Sequence, residues 1–124
     1  MTKSFKDILA WQKSYDYCLY VYKLSSSFPD FEKYALRSQF TRAAVSIPAN
    51  IAEGYKKLTK ADKLRFFNIA QGSLEECRCY NLLSRDLGYI SEEEFQTLEF
   101  KIHNASVFFN AYCDGVSRNT GIWD

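Results

Sequence analysis

The chain has 124 residues and a formal net charge of +1, the length of one domain around one core, without the strong field that marks nucleic-acid or membrane partners. Hydrophobic residues make up 47% and charged residues 25% of it, which excludes intrinsic disorder. No apolar run reads as a signal peptide or approaches the ~18 residues of a membrane span, so the expectation is a cytoplasmic protein without membrane contact.

Hydrophobic periodicity predicts helices over 4–26, 31–57, 60–87 and 92–118, with a short tail at 119–124. The first carries Ile8, Trp11, Tyr15, Cys18 and Tyr22 at 3-4 spacing. Pro29, after Ser-Ser-Ser-Phe, breaks the chain. The second carries Leu36, Phe40, Ala43 and Ile47, then Asn50 and Gly54, with Ile51 alongside; Pro48 lies inside it and is expected to kink it. The third begins after Thr59, with Asp62 as capping-box partner, and carries Leu64, Phe67, Leu74, Leu82 and Leu87. Gly88 is placed to cap its end. The last keeps strict 3-4 spacing through Phe95, Leu98, Ile102, Ala105, Phe109, Tyr112 and Val116, behind a Ser91/Glu94 capping box. Helices of about 25 residues are roughly 37 Å long at 1.5 Å per residue. Similar lengths and short connections predict one all-α domain over 1–124, an antiparallel up-down-up-down four-helix bundle.

Chemistry is sparse. The one histidine, His103, follows Glu99 by four residues, whereas di-iron bundles use Glu-x-x-His on two helices; it reads as structural or solvent-facing. Cys77 and Cys79 point about 200° apart on a helix and have no second pair, so no metal site is expected. Without a secretion signal, Cys18, Cys77, Cys79 and Cys113 read as reduced thiols. Glu75 and Glu76 are adjacent and face apart, and no Gly-rich phosphate loop occurs. No enzyme is expected, and no cofactor.

The middle of the chain is distinctive. Gln39-Phe-Thr-Arg42-Ala43-Ala44-Val-Ser46-Ile47-Pro48-Ala-Asn50-Ile51-Ala52-Glu53-Gly54 packs small residues around a proline and sets a polar Asn50 on the apolar seam. A buried Asn there fixes register or oligomeric state; alternatively it satisfies the carbonyl of Ala44 that Pro48 leaves without a partner. With Phe66-Phe67-Asn-Ile69-Ala70-Gln-Gly72-Ser73-Leu-Glu75-Glu76 and Leu87-Gly88-Tyr89-Ile90, this stretch resembles the 23S rRNA intervening-sequence proteins, over about residues 5–116. The resemblance implies a four-helix bundle assembling as a homopentameric ring. It also implies kinship with the accessory variability proteins of diversity-generating retroelements, which bind nucleic acid and a reverse transcriptase. It carries over no catalytic residues. Arg42, Pro48, Asn50, Glu53, Gly54, Gly72 and Ser73 are the candidates for structure and assembly.

In such a bundle one end gathers Lys3, Lys6, Lys56, Lys57, Lys60, Lys63, Arg65 and Arg118 against Asp7, Glu53, Asp62, Asp114 and Asp124. The other end is acidic, with Glu92, Glu93 and Glu94 at the start of the last helix. Lys56 and Lys57 suit a helix C-terminus, but Lys60 and Lys63 oppose the dipole at a helix N-terminus, so the cluster suits an anion-facing surface. A ring would repeat it and sum weak contacts. The leading expectation is a non-enzymatic ring that binds RNA or DNA, or a protein that handles them, through Lys56, Lys57, Lys60, Lys63 and Arg65. The alternative is a protein–protein adaptor or structural module with no nucleic-acid binding.

Overall fold

A computed structural model describes residues 2–119. The expected tail beyond Asn119, and Asp124 with it, lie outside the described residues. Helices α1 (Leu9–Ser25), α2 (Leu36–Lys56), α3 (Lys60–Asp86) and α4 (Glu92–Arg118) form an antiparallel up-down-up-down bundle in which each helix packs against its two sequence neighbours and α1 closes on α4. No strand occurs among the described residues.

Local chemistry sets the boundaries. Ser91 and Glu94 form the expected capping box, and Thr59 Oγ1 accepts from the backbone N–H of Asp62 at 3.1 Å. Gly88, at φ +77°, ends α3: its N–H donates to the Arg85 carbonyl and that of Tyr89 to the Ser84 carbonyl, each at 2.9 Å. Two starts fall later than the periodicity predicts. Residues Phe5–Asp7 form a 3₁₀ turn closed by a Ser4/Asp7 capping box, and extended Ile8 separates it from α1. Asp30–Glu32 form another 3₁₀ turn, and the Glu32 carboxylate accepts from the Leu36 N–H at 3.1 Å, starting α2 afresh. The α2 helix runs through Pro48 without interruption.

The core face of α4 is as expected, from Phe95 through Val116, with Tyr112 half-buried. Those of α1 and α3 are so only in part. In α1, Ile8 and Cys18 are buried as expected, but the buried line runs through Ala10, Ser14, Tyr17, Val21 and Leu24, whereas Tyr15 and Tyr22 are exposed. In α3 it is Phe67, Ala70, Leu74, Cys77, Asn81 and Ser84, whereas Leu82 and Leu87 are exposed. The α2 helix approaches α3 so closely that a Cβ on Gly54 would stand 2.5 Å from Phe67 Cε1.

Candidate nucleic-acid interface at the basic end

The α2–α3 turn carries Lys56, Lys57, Lys60 and Arg65 to one corner of the bundle. Lys56 ends α2, Lys57 caps it, and Lys60 opens α3 behind the Thr59 cap. Two of these cations lie over the ring of half-buried Phe66, with Lys57 Nζ and the Arg65 guanidinium carbon each 4.9 Å from its centre. Arg65 also stands 3.6 Å from Asp62 in an exposed pair, which binds it only weakly. Beside this corner, Lys3, Phe5, Ala49, Ala52, Tyr55 and Lys56 line an open hollow of about 520 Å³. Glu53 stands exposed on its rim.

Lys63 does not belong to this surface. It is buried, and its Nζ donates to the carbonyl oxygens of Tyr55 at 2.5 Å and Gly54 at 3.5 Å. These are C-terminal carbonyls of α2, so Lys63 meets the negative end of one helix dipole while lying in the first turn of another. Loss of hydration lowers its pKa. Lys63 opposes the dipole of its own helix, and the α2 carbonyls offset that.

The residues singled out around Pro48 fall mostly along the α2–α3 seam. Ser46 Oγ lies 2.7 Å from Ser73 Oγ, and Asn50 Nδ2 donates to the Ser46 carbonyl at 2.8 Å and to Ser46 Oγ at 3.0 Å. Asn50 is half-buried, so it is neither a core polar residue nor a partner of the Ala44 carbonyl. Arg42 pairs with Glu76 across the seam at 2.7 Å, and Tyr80 donates to the same carboxylate at 2.6 Å. Pro48 and Gly54 are buried; Gly72 is exposed, with nothing within 4 Å of where a Cβ would be.

A buried polar relay in the core lies outside the residues singled out from the sequence. Tyr17 Oη donates to Asn81 Oδ1 at 2.7 Å, and Asn81 Nδ2 donates to Glu99 Oε2 at 2.9 Å. Asn81 could have been found by extending the 3-4 line of Leu74 and Cys77. Among the described residues no cluster of His, Cys, Asp and Glu could hold a metal, and His103 is exposed. The four cysteines are free. Burial pushes the thiols of Cys18 and Cys113 up to about 11 and that of Cys77 to about 12, so none of these three is a ready thiolate at neutral pH. No described helix is long and apolar enough to cross a membrane.

Comparison with known proteins agrees with this architecture. A family model described as 23S rRNA-intervening sequence protein matches residues 6–111. A crystal structure of a protein of unknown function, from the S23 ribosomal protein family of Bacteroides thetaiotaomicron, superimposes with a TM-score of 0.79. It shares 22% identity over 88% of this chain and 98% of its own, a likeness of fold. No curated protein matches the chain.

Proposed function

Because the chain belongs to the 23S rRNA-intervening sequence protein family, we propose that it is a non-enzymatic, ring-forming four-helix bundle of the cytoplasm, a homopentamer, whose basic end binds RNA or DNA, alone or held by a nucleic-acid-handling protein such as a reverse transcriptase. The observation that carries this reading is the corner formed by Lys57, Phe66 and Arg65 with Lys56 and Lys60 beside it. Cations neutralise phosphates, and the Phe66 ring gathers two of them at one place. One such corner holds few phosphates; a ring repeats it on one side, so that a single strand meets several copies. The exposed aromatic residues Tyr15 and Tyr22, together with Leu19 and Phe100, support association, because single soluble domains seldom leave such stripes in water.

The test is a titration of fluorescent RNA and DNA oligonucleotides at several salt concentrations. Phosphate neutralisation predicts affinity that falls steeply with salt, with a log–log slope of about −0.9 per contact on duplex DNA. Binding that is absent at low salt, or insensitive to salt, removes the nucleic-acid reading and leaves a protein–protein adaptor.

A further inference from the structure

Two apolar stripes lie outside the core on different sides of the bundle. On α4, Glu93, Phe100, Val107 and Asp114 recur every seventh residue and face away from the buried line of Leu98, Ile102, Ala105 and Phe109. Phe100 is 66% and Val107 50% exposed. On the α1–α2 face, Trp11 and Tyr15 lie beside Val45 and Ala49, and Leu19 and Tyr22, 54% and 50% exposed, continue along α1. Trp11 stacks on Tyr15 with ring centres 4.7 Å apart.

The stripes stand at matching heights. Lys101 Nζ lies 2.6 Å from Asp16 Oδ2 and 5.6 Å from the Tyr20 ring, and Lys13 Nζ lies 6.0 Å from the Phe108 ring. These contacts set Phe100 level with Leu19 and Tyr22, and Val107 level with Trp11 and Tyr15. Followed outward at 1.5 Å per residue, Glu93 comes level with Arg37 and within about a turn of Lys23. Asp114 comes level with Lys3 and Lys56, which, with the single acid Glu53, line the far end of the same face.

We propose that the α4 stripe of one copy packs onto the α1–α2 face of the next. This rests on the ring reading above and names the surfaces that make the ring. Rotation about an axis parallel to the bundle carries no rise, so residues of equal height meet. Phe100 then packs on Leu19 and Tyr22, and Val107 on the Trp11–Tyr15 stack. Glu93 faces Lys23 and Arg37, and Asp114, held only at 3.9 Å by exposed Arg118, faces Lys3 and Lys56. Charge selects this arrangement over a two-fold dimer. A two-fold pairing of α4 stripes sets Glu93 against Asp114, and a two-fold pairing of the other faces sets Lys23 and Arg37 against Lys3 and Lys56. Unlike faces that meet head to tail close into a ring instead.

The experiment measures mass by light scattering at micromolar concentration, with circular dichroism to follow helicity. Phe100→Asp/Val107→Asp and Leu19→Asp/Tyr22→Asp are each expected to run as single chains of 14.4 kDa with helicity intact. Mixed in equal amounts, they are expected to form a two-chain particle that neither forms alone, because each retains the face the other has lost. A mixture that stays at the single-chain mass overturns the pairing of these two faces. Double variants that keep the mass of the parent overturn the choice of faces and leave the ring standing, whereas a parent that is itself a single chain overturns the ring reading. Should an apolar substitution cost helicity, Glu93→Lys/Asp114→Lys asks the same question at exposed positions: a fall in mass supports the contact, and an unchanged mass overturns it.

Discussion

Tyr17 and Asn81 meet across the diagonal of the bundle, where α1 and α3 are not packing neighbours: Tyr17 Oη donates to Asn81 Oδ1 at 2.7 Å, and both residues are fully buried. Asn81 then reaches Glu99 on α4, so one amide ties three helices. A buried polar group that loses its partner costs ~1–3 kcal/mol. Tyr17→Phe and Asn81→Leu are each expected to destabilise by that amount in urea unfolding at one fixed protein concentration. The double variant is expected to cost less than the sum, since the two act on one bond. Additive losses would separate the two residues.

Gly54 and Gly72 are expected to respond in opposite directions to alanine. At Gly54 the new methyl stands 2.5 Å from Phe67 Cε1, an overpacking that costs ~1–3 kcal/mol. At Gly72 the methyl meets nothing within 4 Å, and the helix gains ~0.5–1 kcal/mol from losing a flexible residue. Thermal melts of the two variants check both signs.

Thiol titration gives a pH dependence. Burial holds Cys18 and Cys113 at about 11 and Cys77 at about 12, against 9.0 for an ordinary thiol. Between pH 9 and about 11 the unfolded chain therefore gives up thiol protons that the folded chain keeps, and stability falls as pH rises through that window. Replacing Cys18 and Cys113 by Ala is expected to flatten the decline in unfolding titrations. At pH ~8, where reaction follows thiolate content and exposure, iodoacetamide is expected to label exposed Cys79 ahead of the other three.

Lys63 and the pair Lys57/Arg65 separate folding from binding. Lys63→Met removes the bonds to the Gly54 and Tyr55 carbonyls; the Gly54 carbonyl keeps the Lys57 N–H at 3.2 Å, while that of Tyr55 loses a bond to a charged donor, a loss of ~1–3 kcal/mol. Its affinity for nucleic acid is expected to stay at the parent level. Lys57→Ala/Arg65→Ala is expected to keep the melting temperature within a few degrees and to weaken binding several-fold. Unfolding melts and oligonucleotide titrations on both variants check the contrast.

The last helix was legible because an unbroken 3-4 line of apolar residues from Phe95 to Val116 occupies its core face, even though Phe100 and Val107 lie outside it. In α1 and α3 the two classes partly trade places. Ser14, Asn81 and Ser84 occupy core positions, while Tyr15, Leu19, Tyr22, Leu82 and Leu83 face outward. Periodicity follows the apolar residues, so in α1 it joins the core residues Ile8 and Cys18 to exposed Tyr15 and Tyr22. The basic end was half legible. Lys56, Lys57, Lys60 and Arg65 are close in sequence, but Lys63 was withdrawn by α2 carbonyls that only the folded turn brings near. The approach of Lys57 to the Phe66 ring likewise depends on the turn. Asn50 was misplaced because its amide turns back to Ser46 on its own helix.

The central claim, a basic corner that grips nucleic acid, is tested most directly by fluorescence anisotropy of a labelled single-stranded RNA. The parent is compared with Lys57→Glu/Lys60→Glu/Arg65→Glu, which spares Lys56 for the ring contact, and with Lys33→Glu at the acidic end. The account predicts that the parent and Lys33→Glu bind alike at ~50 mM salt and poorly at ~200 mM. The triple variant, with its helicity and mass unchanged, is predicted to lose binding at both. A triple variant that binds as tightly as the parent, or a parent that binds nothing at the lower salt, would contradict it.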